Sequence, residues 1–451
     1  MTRTRFLTGF GAAALAGSLI FGCSSPSPST SGQAGSGGKA GSAGQAGTSG
    51  AAGAAGGAGA GGRTGAAGTG LDAAAGASAD ASGAAGQGGS PADGGGDAPL
   101  SSGPCTPFAN VYQPFVKLSD TGCMDPTNPT KLASIVVPYE VNSPLWSDNA
   151  NKERGFVIPK GSKIHVKDCA TASAECTQGP QDTGKWVMPV GTVMVKSFSF
   201  DGKLVETRLL MHTDDTTWSG YSYQWNEAQT EATVVPADDD PSLNNMRAHV
   251  MFNTGQRTVS WIFPYRFDCT GCHTKSAGGT LGPETRQMNR KLGNVATNPN
   301  QIDSWKGMGL FEGAGPPTPY QAALVLPYDG QLGTAPKGAA TLEARARSYL
   351  HANCAYCHRP DGDFSNIDFR VDTTFKNMGA CGVTPAKGDV GVLGALVLSP
   401  GQPMLSSMWL RMHAPYMGDR TRMPQLATYV LDDLGLGVIS DWITSVKACP
   451  P

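Results

Sequence analysis

Neither sign of charge is in excess in this chain of 451 residues: Lys and Arg number 34, Asp and Glu 36, and the formal net charge is −2. Without a basic surplus to neutralise phosphates, nucleic acid is excluded as a bulk electrostatic partner. Long apolar runs are also missing. The uncharged stretch Phe6 to Phe21 falls short of the roughly 20 residues a bilayer-spanning helix needs, and no later stretch could span a bilayer. No Ser/His/Asp constellation, phosphate loop or metalloprotease helix stands out. Residues 31–100 lack cysteine and aromatics and carry only Leu71 and Leu100 as large aliphatics, while holding 25 Gly and 22 Ala. Such a segment cannot bury enough apolar surface to offset its ordering entropy. It predicts a tether with a typical reach of roughly 45–50 Å.

What is present begins with a positive pair, Arg3 and Arg5, before the apolar run, which ends at Ile20-Phe21-Gly22-Cys23. This pattern reads as a secretory signal. It resembles a bacterial lipoprotein signal, which implies lipidation of Cys23, and Ser24 after it points to the outer membrane, facing the periplasm or the cell surface. The expected organisation is therefore a signal over 1–23, a Gly/Ala/Ser-rich tether over 24–103, and a folded part over 104–451.

Within the folded part, 104–267 predicts a β-rich module, an antiparallel sandwich or barrel. Short runs such as Lys163 to Val166, Lys185 to Met188, Thr192 to Phe200, Leu204 to Met211, Tyr221 to Trp225 and Thr258 to Phe263 alternate between turn signals. Trp218, Tyr221, Tyr223 and Trp225 read as sheet core, and Asp238-Asp239-Asp240 as a solvated turn, since a Gly-containing calcium-loop frame is missing. After residue 267 the β character fades. Thr341 to Asn353 predicts a helix capped by Thr341, and Leu431 to Lys447 predicts another, with Gly435 and Gly437 weakening its first turn. The expected divisions are a first segment over 268–338 and a mainly α-helical region over 339–451.

Two copies of one motif carry the chemistry: Cys269-Thr270-Gly271-Cys272-His273 and Cys354-Ala355-Tyr356-Cys357-His358. Cys-x-x-Cys-His is the attachment signature of c-type haem. The two thiols reach the two vinyl groups of one porphyrin, and the following His falls beneath the iron. Zinc would use the same residue types tetrahedrally, but export favours two covalent haems. Apart from Cys23 and these four thiols, six of the 11 cysteines remain, an even number for an oxidising compartment. Proximity suggests 105–123, 169–176 and 381–449, out of about fifteen possible pairings.

For the second haem, the order of helix, Cys-x-x-Cys-His, long loop, Met423-Pro424 and terminal helix over Ala339 to Cys449 resembles small cytochromes c and makes the region over 339–451 cytochrome c-like. The resemblance implies Met423 as sixth ligand, and Met404, Met408, Met412, Met417 and His413 compete. Met188-Pro189 reads as core. For the first haem, His212 leads, with Met288, His249, Met308 or a vacant position as alternatives. Gly282-Pro283 resembles the segment of small cytochromes whose proline carbonyl accepts the proximal His N–H. His351 reads as an exposed residue on the second motif's own helix.

Further residues carry a wider resemblance. Val205 to Leu210, Trp218 to Tyr223 with Trp225-Asn226 and Gln229-Thr230, Asn142 to Asp148, Pro189 to Thr192, Leu281 to Pro283 with Asn289, and Tyr349-Leu350 are together similar to a bacterial family of exported diheme c-type cytochromes. The resemblance covers roughly 104–451. It implies electron transfer by Fe(II)/Fe(III) cycling, with redox protein partners it does not name. The alternatives are a diheme peroxidase-like enzyme, a redox partner subunit of a separate dehydrogenase, and a surface module whose haems are auxiliary.

Overall fold

The computed structural model describes residues 105–451 except 170–173, 237–248, 296, 328–338, 363, 365, 416–420 and 426–427. The signal, Cys23, the tether, Asp238-Asp239-Asp240, Met417 and the His249 side chain lie outside the described residues. The strands are β1 Met124–Asp125, β2 Asn128–Leu132, β3 Val137–Pro138, β4 Asn151–Val157, β5 His165–Val166, β6 Trp186–Val187, β7 Val193–Phe200, β8 Lys203–Asp214, β9 Thr217–Trp225, β10 Ala232–Val234, β11 His249–Asn253 and β12 Thr258–Ile262. The helices are α1 Arg266–Cys272, α2 Thr285–Met288, α3 Gln301–Gly307, α4 Leu342–Asn353, α5 Ser407–His413 and α6 Asp433–Ser445.

Six strands pair in the order β10-β9-β8-β7-β4-β3, and every pairing is antiparallel. The alternation in the sequence sets this sheet up. Asp201 and Gly202 turn β7 into β8 with φ of +50° and +80°, the left-handed pair that a two-residue hairpin requires. Val193 and Val195 then fall on one face with Leu209, Met211, Tyr221 and Tyr223, under the segment pinned by the Cys105–Cys123 disulfide. Met194 and Leu210 fall on the opposite face, where Phe156, Trp186, Trp305 and Phe311 complete a second core. Tyr221, Tyr223 and Trp225 of β9 are indeed core, Trp218 is half-buried against the second core, and Met188 is core at 1% exposure. The sheet is open, and the remaining strands form three two-stranded ladders, so the expected sandwich or barrel is not what the strands build.

The larger correction concerns the helices. The described residues are β-rich with few helices, and the mainly α-helical, cytochrome c-like region expected from the sequence is contradicted. Beyond residue 268 only α4 and α6 exceed seven residues. Turns fill the rest, and Gly388, Gly391 and Gly394, all near φ +80°, show why: left-handed glycines recur too often for helices to propagate. The two expected helices themselves form. Thr341 Oγ1 accepts from the Ala344 N–H at 3.1 Å at the start of α4, and Asp432 Oδ1 accepts from Gly435 N–H at 2.9 Å at the start of α6. All three cysteine pairs suggested by proximity form disulfides, including Cys169–Cys176 and Cys381–Cys449.

The segment Asn142 to Asp148 ties distant parts together. Asn142 Nδ2 donates to the Arg286 carbonyl at 2.8 Å, Trp146 N–H donates to Asn353 Oδ1 at 2.7 Å, and the Asp148 carboxylate accepts from the Tyr429 and Val430 N–H groups at 2.8–3.0 Å. All described residues belong to one contact-connected unit. No helix among them is long and apolar enough to cross a membrane.

Candidate functional site

The first motif lies on α1, which rests on β9. Gly220 permits the approach: a methyl group there would collide with the Cys269 sulfur. His273 follows α1 as its cap, and its Nδ1 hydrogen-bonds the Gly279 carbonyl at 2.5 Å. A carbonyl can only accept, so Nδ1 carries the proton and Nε2 keeps its lone pair. The acceptor is thus Gly279 rather than the expected Pro283, whose carbonyl accepts from Trp186 N–H at 3.4 Å. Gly279 packs edge-on against Trp218, which stacks on His212 with ring centroids 4.3 Å apart and planes 3° apart. His212 is 6% exposed, and its buried Nδ1 has no partner.

The second motif follows α4 directly, with Cys354 as its C-cap and the remaining residues in the turn after it. His358 N–H donates to the Cys354 carbonyl at 3.0 Å, and the ring sits against Phe364 and Phe369, each centroid 5.1 Å away. Its Nδ1 is buried and unpartnered. Cys354, His358 and Met423 line one cleft with about 720 Å³ of empty space, its mouth included, and Leu350, Phe369 and Val397 make its walls apolar. Residues 65 positions apart in the chain thereby share one wall of water-excluding surface. Met408 and Met412 line it too, so the thioether choice stays among three methionines. Met404 is 64% exposed, and His413 is exposed and stacks on Trp409.

The fold brings the two motifs into contact. Cys357 Sγ lies 3.9 Å from the Gly271 carbonyl, and Arg359 Nη1 donates to the Ser276 carbonyl at 2.8 Å. A hydrogen bond with Cys357, together with burial, pushes the Cys272 thiol well above its ordinary range. Burial pushes the Cys354 thiol up to about 12. These thiols are protonated at neutral pH, which disfavours thiolate nucleophilic catalysis. Burial also lowers His273 and His358 to about 4 each, so both imidazoles are neutral and free to donate a lone pair.

Among the described residues no group of three or more His, Cys, Asp or Glu side chains is placed to hold a metal ion. A tetrahedral zinc site on these motifs is therefore unsupported. A porphyrin iron asks for less, one imidazole and one further ligand, with thiols at its edge. The His358 ring, whose Nδ1 has no partner among the described residues, lines an apolar cleft that Met423 lines too, which fits that demand, and so does His273 with its Nδ1 held by Gly279. Of the other first-motif candidates, Met288 is fully buried in the second core with Gln301 Nε2 3.6 Å from its sulfur, and Met308 is 59% exposed.

His351 departs from its expected exposure. It is 6% exposed, its Nδ1 accepts from Val371 N–H at 3.1 Å, and its Nε2 meets Glu284 Oε1 at 2.8 Å. Burial alone would raise the Glu284 carboxyl; the hydrogen bond from His351 Nε2, with the charges of Arg286 and Lys185, outweighs it and holds the carboxyl down to about 2. Sequence reasoning missed this pair and also the inward cations of the sheet, Arg154, Lys196 and Arg208. Their signal was a charged residue at an apolar phase of an alternating strand.

No family model, curated protein or solved structure matches this chain.

Proposed function

We propose that the chain is a diheme c-type cytochrome, anchored through lipid on Cys23 at the outer membrane, that passes electrons between redox protein partners. The observation that carries the reading is the meeting of two Cys-x-x-Cys-His motifs, distant in sequence, in one half-buried neighbourhood where Cys357 Sγ lies 3.9 Å from the Gly271 carbonyl beside Cys272. A bound haem supplies one-electron exchange between ferric and ferrous iron. The chain's own residues do the rest. Gly279 fixes the His273 ring by its Nδ1 proton, Phe364 and Phe369 hold the His358 ring, and the apolar cleft around Met423 keeps water away. Adjacent attachment thiols shorten the path between the two groups.

The test is expression of the full chain in a host with haem-attachment machinery. Mass and pyridine haemochrome are expected to count two covalent haems, and Cys269→Ser with Cys272→Ser to leave one. Electron paramagnetic resonance would then identify both axial sets. A colourless product with the mass of bare lipidated polypeptide sinks the reading.

A further inference from the structure

The inner face of the six-stranded sheet carries a row of cations that the haem reading does not use. Arg154 on β4 is the register partner of Lys196 on β7, and Lys196 is the partner of Arg208 on β8. Like charges directly opposed across strands are destabilising, and these three sit side by side on central strands. Only one carboxylate answers them. Glu206 holds Arg208 by two bonds of 2.8 Å and also accepts from Trp261 Nε1 at 2.9 Å. Among the described residues no carboxylate pairs with Arg154 or Lys196. Among the described residues Lys196 meets the Phe198 ring at 5.0 Å, and Lys152 adds a further cation one row away.

This arrangement is costly as it stands. Burial, then the charges of Arg154, Lys152 and Arg208, push the Lys196 ammonium well below its ordinary range. Burial lowers Arg154 as well. Both residues nonetheless keep some exposure, unlike the apolar side chains of the same face such as Phe156 and Phe198. The row shares its face with the first motif: the Cys269 sulfur abuts Gly220 on β9, and Gly220 is the register partner of Leu210, two residues along β8 from Arg208. Guanidinium forks and ammonium groups in partly desolvated surroundings recognise carboxylates strongly, Arg in a bidentate manner.

We propose that Arg154, Lys196 and Arg208 form a carboxylate-binding site, and that its occupant is the pair of propionate arms of the porphyrin attached at Cys269 and Cys272. The second clause rests on the haem reading; the first does not. Paired carboxylates could equally come from a soluble dicarboxylate, and the experiment separates the two sources.

The full chain is prepared with haem attached as wild type, Lys196→Met, Lys196→Gln and Arg154→Gln, with Lys160→Met on an exposed turn as control. Circular dichroism checks the fold, and the glutamine variant of Lys196 covers failure of the methionine one. Resonance Raman spectra, redox titration and thermal melts with and without succinate are recorded. The expected result is two haems in every variant, with one haem showing shifted propionate bending bands and a lowered potential in the Lys196 and Arg154 variants alone. Unchanged bands and potentials, with succinate raising the melting temperature of wild type but not of Lys196→Met, would keep the carboxylate site and overturn its assignment to the porphyrin. Unchanged spectra and no succinate effect would overturn the site itself. A colourless chain would overturn the haem reading, and its succinate response would still decide whether the row binds carboxylates.

Discussion

At the scale of single residues, partners decide behaviour. Glu284 is 9% exposed, and its carboxyl is held at about 2 against an ordinary 4.5. A depressed carboxyl contributes stability that is present above its unfolded value and lost as pH falls through the folded one. The loss between about pH 5 and pH 2 should approach about 3 kcal/mol. Glu284→Gln should start less stable at pH 7 and lack that acid-side slope, as read by urea unfolding at a series of pH values. Equal slopes for both proteins would contradict the pairing with His351. Met423 gives a second residue-scale expectation. In the haem-loaded chain Met423→His should lower the potential of one haem, because imidazole replaces a thioether that favours the reduced state. Met408→Leu and Met412→Leu should leave that potential unchanged; if either lowers it instead, the ligand is misassigned within the cleft. The motif residues were legible because each Cys-x-x-Cys-His signature is five consecutive residues, readable without any distant partner. The burial of His351 was not, because its partner lies 67 positions away in the chain.

At the scale of elements, alternation and turn chemistry found β7, β8 and β9, with Asp201-Gly202 between the first two; β8 runs on past Met211 to Asp214 and β9 starts before Tyr221, at Thr217. Capping by Thr341 placed α4, and the apolar face found α6, which is shorter at both ends than the expected Leu431 to Lys447. What failed was extension of these two helices to a helical region, because recurrent left-handed glycines stop propagation between them. Gly435 shows how the same residue type misleads at finer grain. On propensity it weakens the first turn of α6, and alanine there should stabilise by about 1 kcal/mol. In the folded chain, however, a methyl at Gly435 would run into the ring of Tyr349 on α4. Tyr349 is 4% exposed in a packed cluster with Leu436 and Ile439, so it has little room to withdraw. Gly435→Ala should therefore destabilise, by about 1–3 kcal/mol of overpacking. Denaturant unfolding reads the sign directly, and a stabilised variant would mean that α4 and α6 separate more easily than their packing implies.

At the scale of the whole molecule, the segments read separately in the sequence depend on one another through buried polar contacts. Residues 339–451 were expected as a region of their own. Yet Asn353 on α4 accepts from Trp146, the Ser348 carbonyl accepts from Ser143 Oγ at 3.3 Å, and Asp148 holds the chain before α6. Arg370, 2% exposed, donates to the Gln178 carbonyl at 3.0 Å and reaches Asp182 at 3.4 Å, and His351 needs Glu284. These partners all precede residue 339, and no local pattern could announce pairings across such separations. Each buried group left unpaired costs about 1–3 kcal/mol, more for charges. Several together rival the roughly 5–15 kcal/mol by which a domain is stable at all. The fragment 339–451, even with Cys381–Cys449 formed, should show no cooperative thermal transition, whereas the chain from residue 105 onward should melt in a single step. Calorimetry and proton NMR dispersion on both pieces measure this. A sharp transition with dispersed resonances from the fragment alone would mean that the contacts to Asn142–Asp148, Glu284 and Asp182 are docking contacts between autonomous bodies rather than parts of one fold.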